Sequence, residues 1–140
     1  MSATGKAREA GFTLLEALVV VTIAATISAL LFPNVQRTLD ALSLRQSASA
    51  FTGRLRAARA QALRQDHPVW VAATADGKAY AWRDGAAQQL PGAVTIGIAG
   101  QRPVVFHPDG SSSGGDAVMA AGTRRIPIQI DANGAVTARP

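Results

Sequence analysis

Cysteine is absent from this 140-residue chain. Its absence excludes disulfides, a thiolate nucleophile, lipidation through sulfur and a sulfur-ligated metal. Histidine is almost absent as well: His67 and His107 stand alone, and neither has a second candidate ligand at metal-binding spacing. The acids Asp76, Asp84, Asp109, Asp116 and Asp131 are scattered through turn-like sequence, where Asp is favoured for bonding its own backbone. None of these loops has the EF-hand pattern. The stretch His107-Pro108-Asp109-Gly110-Ser111-Ser112-Ser113-Gly114-Gly115 contains Ser, His and Asp. It lacks the strand-to-helix elbow of a nucleophilic serine, and the Lys-Ser/Thr ending of a phosphate loop. A turn between strands is the expectation there, with no catalytic residue, metal or cofactor anywhere in the chain.

Charge is scarce in one region in particular. From Phe12 to Phe32 there are 21 residues, and Glu16 is the only ionisable side chain among them. At ~1.5 Å per residue the run is roughly 31 Å long as a helix, enough to cross the hydrocarbon core of a bilayer. A carboxylate there costs on the order of 2.5–3.5 kcal/mol unless it meets a positive partner. Glu16 follows a Gly11-Phe12 junction and a short basic leader, so a newly exposed amino terminus could serve as that partner. A cleaved secretory signal would have a shorter apolar core and a small-residue cleavage site. A plain signal anchor would leave Gly11 and Glu16 without a role.

The remainder is long enough for one small domain, and a hydrophobic fraction of 48% is too high for a disordered tail. The net charge of +5 keeps nucleic acid among the partners to be weighed. Lys6 and Arg8 precede the span while Arg37 and Arg45 follow it, so charge bias alone nearly ties the topology.

Pro33 ends the apolar run and is expected to kink the helix. Helical pattern resumes beyond it: Leu44, Ala48, Phe51, Leu55, Ala58 and Ala62 recur every three or four residues, forming one apolar stripe. Val35, Leu39 and Leu42 lie on roughly the opposite face. Arg37, Arg45, Arg56 and Arg59 share one flank, which reads as solvated surface or as a basic face for DNA or an acidic subunit. After His67 the period changes to that of strands: Val69–Ala72, Tyr80–Trp82, Val94–Ile98, Val104–Phe106, Ala117–Ala120, Ile126–Ile130 and Ala135–Thr137. Asp76-Gly77 and Asn133-Gly134 read as turns. The expected fold is α+β, a long N-terminal helix whose second half packs on a small antiparallel sheet domain. Its boundaries are a leader over 1–11, a transmembrane helix over 12–32, an amphipathic continuation over 33–65 and a β-rich domain over 66–140.

The segment Gly11-Phe12-Thr13-Leu14-Leu15-Glu16 resembles the leader junction of type IV pilins and type II secretion pseudopilins. That resemblance implies cleavage by a prepilin peptidase between Gly11 and Phe12, N-methylation of Phe12, and an assembly role for Glu16 against a neighbour's amino terminus. Pro33 falls where pilins commonly have a helix-loosening proline. The segments Leu55–Leu63 and Phe106–Gly115 are similar to the helix and sheet-domain loop of the GspH/FimT group. This chain lacks the Gly-Arg-x-Arg tail and carboxy-terminal cysteines common in the FimT branch, so the resemblance implies a minor pseudopilin of a secretion filament, with a pilus subunit as alternative. It further implies other minor and major pseudopilins, the peptidase and inner-membrane lipid as partners, and a periplasmic domain. DNA binding through Arg56 and Arg59 is the less favoured expectation.

Overall fold

The computed structural model describes residues 13–83 and 85–139. A single helix, α1 (Leu14–Gln65), includes Pro33 in its interior. The chain divides into two compact units, one up to Gln36 and one from Arg37 onward.

In the first unit the described side chains are all exposed, Leu14, Leu30 and Phe32 strongly so. This is the pattern of a helix whose solvent is lipid. The hydroxyls in the run do not contradict that reading. Thr22, Thr26 and Ser28 each donate to the carbonyl one turn back, those of Leu18, Thr22 and Ala24, at 2.7–2.8 Å. A hydroxyl satisfied within its own helix removes most of the penalty of placing it in hydrocarbon.

Among its described residues the second unit contains the rest of α1 and eight strands: β1 (Val69–Ala73), β2 (Ala79–Trp82), β3 (Gln88–Gln89), β4 (Thr95–Ile98), β5 (Val104–Phe106), β6 (Gly115–Ala121), β7 (Arg124–Ile130) and β8 (Val136–Ala138). The strands fall into two four-stranded antiparallel sheets, with orders β3-β2-β1-β5 and β4-β6-β7-β8. Period-two alternation says which face of each strand is apolar but not which strands pair, so the split was hidden in sequence. The alternation itself is clear in β7, where Ile126, Ile128 and Ile130 are buried and the residues between them exposed.

One core joins the layers. Every residue of the helical stripe (Leu44, Ala48, Phe51, Leu55, Ala58 and Ala62) is buried, facing Val69 and Val71 of the first sheet and Met119, Ile128 and Ile130 of the second. Phe51 is fully inaccessible and meets Tyr80 edge-on, with ring centroids 4.9 Å apart. Burying side chains of this size stabilises by about 1.5–3 kcal/mol each, which makes the stripe the main bond between helix and sheets. The sheets also meet directly, through the Ile96 amide donating to the Gly77 carbonyl at 2.9 Å. Gly77 has φ +65°, and a Cβ there would lie 2.8 Å from the Ile96 carbonyl oxygen. Only glycine fits that crossing without displacement.

Candidate assembly sites

Glu16 sits in the first turn of α1 with its side chain exposed. Its amide donates to Thr13 Oγ1 at 3.2 Å, and the Ala17 amide to the Thr13 carbonyl at 3.1 Å. Thr13 therefore caps the helix, and the Thr-x-x-Glu spacing is that of a capping box. That spacing is legible in the sequence. An acid in the first turn also lies favourably against the helix dipole. The geometry starts the described helix after Thr13, and among the described residues the Glu16 carboxylate has no hydrogen-bonding or ion-pair partner. Gly11 and Phe12, the predicted cleavage and methylation positions, lie outside the described residues. Pro33 has no amide hydrogen, so the carbonyl one turn back loses its helical donor.

Arg56 and Arg59 face the β-domain. Arg59 Nε donates to the Gly110 carbonyl at 3.0 Å, and Arg56 Nη2 to the Val136 carbonyl at 3.4 Å. Arg59 is held closely: a Cβ on Gly134, at φ +75°, would fall 2.5 Å from the Gly110 oxygen and 2.7 Å from Arg59 Nε. The arginine thus ties α1 to two turns at once, a contact between residues 51 positions apart that no local pattern discloses. Arg54, on another flank, stacks over Trp82 with its guanidinium carbon 4.5 Å from the ring centroid. Burial raises the Tyr80 hydroxyl above the usual phenol range, and the neighbouring Arg54 charge opposes that rise.

The Ser/His/Asp stretch is a connector between the sheets. Asp109 accepts from the Ser111 amide at 2.9 Å and from its hydroxyl at 2.6 Å, which holds the carboxyl below the usual range. Ser113 Oγ accepts from the Val105 amide at 3.0 Å, while the Ser112 hydroxyl donates to the Asp131 carbonyl at 2.8 Å. These serines are committed to backbone groups of opposite sheets, and none is presented to a histidine as a nucleophile. Among the described residues no group of His, Asp or Glu is arranged to hold a metal.

Two family models match. That of the prokaryotic N-terminal methylation motif covers residues 6–32, and that of the type II transport protein GspH covers residues 47–134. No curated protein matches the sequence. Among solved structures, the type IV minor pilin FimU of Pseudomonas aeruginosa is similar at 17% identity and a TM-score of 0.56, over 69% of this chain and 93% of that one. The minor pseudopilin EpsH of the Vibrio cholerae type II secretion system is similar at 13% identity and a TM-score of 0.56, over 69% of this chain and 96% of that one. The two structural likenesses establish the fold, a type IV pilin-like helix on antiparallel sheets, while the second family model spans well over half of the residues. The chain belongs to the GspH family of minor pilin-like proteins.

Proposed function

We propose that this protein is a minor pseudopilin of a type II secretion system. It is a non-catalytic, single-pass subunit of the inner membrane with its β-domain in the periplasm. The observation that carries this reading is the division of labour along α1. Its first part is apolar on all sides and fully exposed, with one carboxylate at the start, while its last part is consumed by the domain's own core. A helix built that way is suited to leave the bilayer and pack against other helices of its kind. Glu16 offsets the charge of a neighbour's amino terminus as it does so. By family resemblance the subunit sits near the filament tip, contacts other pseudopilins, and is cut by a prepilin peptidase between Gly11 and Phe12.

A minor pilin of a type IV pilus is the second reading, favoured by the equal likeness to FimU. A part in DNA uptake draws little support from Arg56 and Arg59, since both already donate to carbonyls of their own domain. Purifying the intact complex in mild detergent and identifying its pilin-like members tests the assignment. Secretion subunits are expected; pilus subunits instead would replace the first reading with the second.

A further inference from the structure

A groove of about 640 Å³ opens on the outer face of the second sheet, walled on one side by the β1–β2 turn. Its floor is uneven in a telling way. Gly97 on β4 pairs with Val118 on β6, so both present the outer face; Val118 is 38% exposed, and a Cβ on Gly97 would meet nothing within 4 Å. This glycine has an ordinary φ and serves no internal packing. Glycine within a strand weakens it, and where no bulge or bend calls for one it leaves room for a ligand or another backbone to approach closely.

The rim supplies the sign of the visitor. Arg102 and Arg125 line the groove and are exposed, and among the described residues neither has a hydrogen-bonding or ion-pair partner. Arg102 is delivered by a short 3₁₀ turn (Ala99–Gln101) in which Gln101 holds φ +53°, an uncommon conformation for a residue with a side chain. The acid on the opposite wall, Asp76, stays ionised, accepting from the Thr74 hydroxyl at 2.6 Å and the Lys78 amide at 3.0 Å, but it pairs with neither arginine and the two guanidinium groups outnumber it. A pleated floor with a bare backbone site, flanked by two unpaired guanidinium groups, matches an extended segment bearing carboxylates.

We infer that this groove docks an extended, acidic segment of a partner protein, seated over Gly97 and held by Arg102 and Arg125. The inference rests on the filament reading only in expecting the partner to be another subunit.

Placing a photo-cross-linking residue at Val118 of the full-length chain, in cells that make its own assembly, tests the docking. Gln129, on the same outer face but outside the groove lining, is the control position. The expected result is an adduct at 118 to a peptide rich in Asp and Glu, reduced at least tenfold by R102E/R125E and by Gly97→Val, with adducts at 129 unchanged. Reversing the mapped acids to Lys should restore the adduct to R102E/R125E. Gly97→Val changes no charge and has open space for its side chain, so it stands as the second variant if the double reversal is degraded. The inference is overturned if position 118 gives no more adduct than 129, or if the mapped peptide lacks carboxylates. Persistence of the adduct in folded Gly97→Val, or an adduct to phospholipid or nucleic acid, would overturn it equally. An arginine-dependent adduct to a protein unrelated to pilins would keep the groove and remove the filament assignment.

Discussion

A carboxylate within a membrane helix must be either neutralised or useful, and at Glu16 the cap geometry separates its two possible duties. The backbone of residue 16 helps start the helix whatever its side chain, because the donor to Thr13 is the amide. Removing the carboxylate should therefore leave insertion and cleavage intact and abolish only the proposed pairing with a neighbour's amino terminus. Glu16→Ala is expected to be processed normally and to enter filaments poorly, read as the sheared-filament fraction against the total membrane pool. Equal incorporation of variant and parent would defeat the assembly role. Gly11→Val should fail one step earlier, because a protease needs close access to an extended backbone. Mass spectrometry of the product made beside its peptidase is expected to show the leader retained.

Two other residues answer to local geometry. At Gly134 a side chain meets the Gly110 oxygen and Arg59 Nε in a backbone conformation that disfavours it anyway. Gly134→Ala should cost on the order of 1–3 kcal/mol in urea unfolding of the periplasmic domain. Asp76 is the acid of the β1–β2 turn, and its hydrogen bonds from Thr74 and Lys78 lower its pKa. A depressed carboxylate contributes stability above its unfolded value, and that contribution is lost as pH falls through the folded one. Carbon-detected titration of Asp76 should accordingly give a midpoint below about 3.9, the ordinary value.

At the level of elements, the helical stripe was fully readable because burial there follows one local period. Seven of the eight strands were readable for the same reason, with ends displaced by a residue or two. The missing one, β3, is Gln88–Gln89, two exposed glutamines whose strand character comes only from pairing with β2. The Arg59 tie to Gly110 and Gly134 was equally invisible, since it joins three segments that are remote along the chain. Periodicity groups Arg56 and Arg59 on one flank but says nothing of what a flank touches. The stripe makes its own prediction. Phe51→Asp puts a charge among fully buried side chains and should unfold the domain by several kcal/mol. The chain from Asp40 onward should be soluble and melt cooperatively, because the stripe and both sheets remain together. A cooperatively melting Phe51→Asp domain would show that the covering face lies elsewhere.

For the molecule as a whole, the excess of arginine invites a choice between nucleic acid and protein as partner. Nonspecific phosphate contacts fade steeply with salt, whereas a packed interface depends on apolar burial and survives it. The domain from Asp40 is expected to bind duplex DNA weakly at low salt and immeasurably at physiological salt, by fluorescence anisotropy. Its association with a minor pseudopilin should persist across the same range. Micromolar DNA binding at physiological salt, abolished by replacing Arg56 and Arg59, would promote the uptake reading.

The bond from Arg56 to Val136 spans 80 positions, and with the Arg59 contacts at Gly134 it makes β8 part of the helix's own seat. The order of synthesis then matters. A ribosome delivers α1 first, yet its stripe is covered only as strands far along the chain fold onto it, with Val136 of β8 the last core residue to arrive. Until those strands are made, a nascent chain of this kind has Phe51 and Leu55 uncovered. A stop codon just before β8 should therefore leave the domain open to proteolysis despite an intact helix and seven complete strands, since Val136 and its bond from Arg56 are then missing.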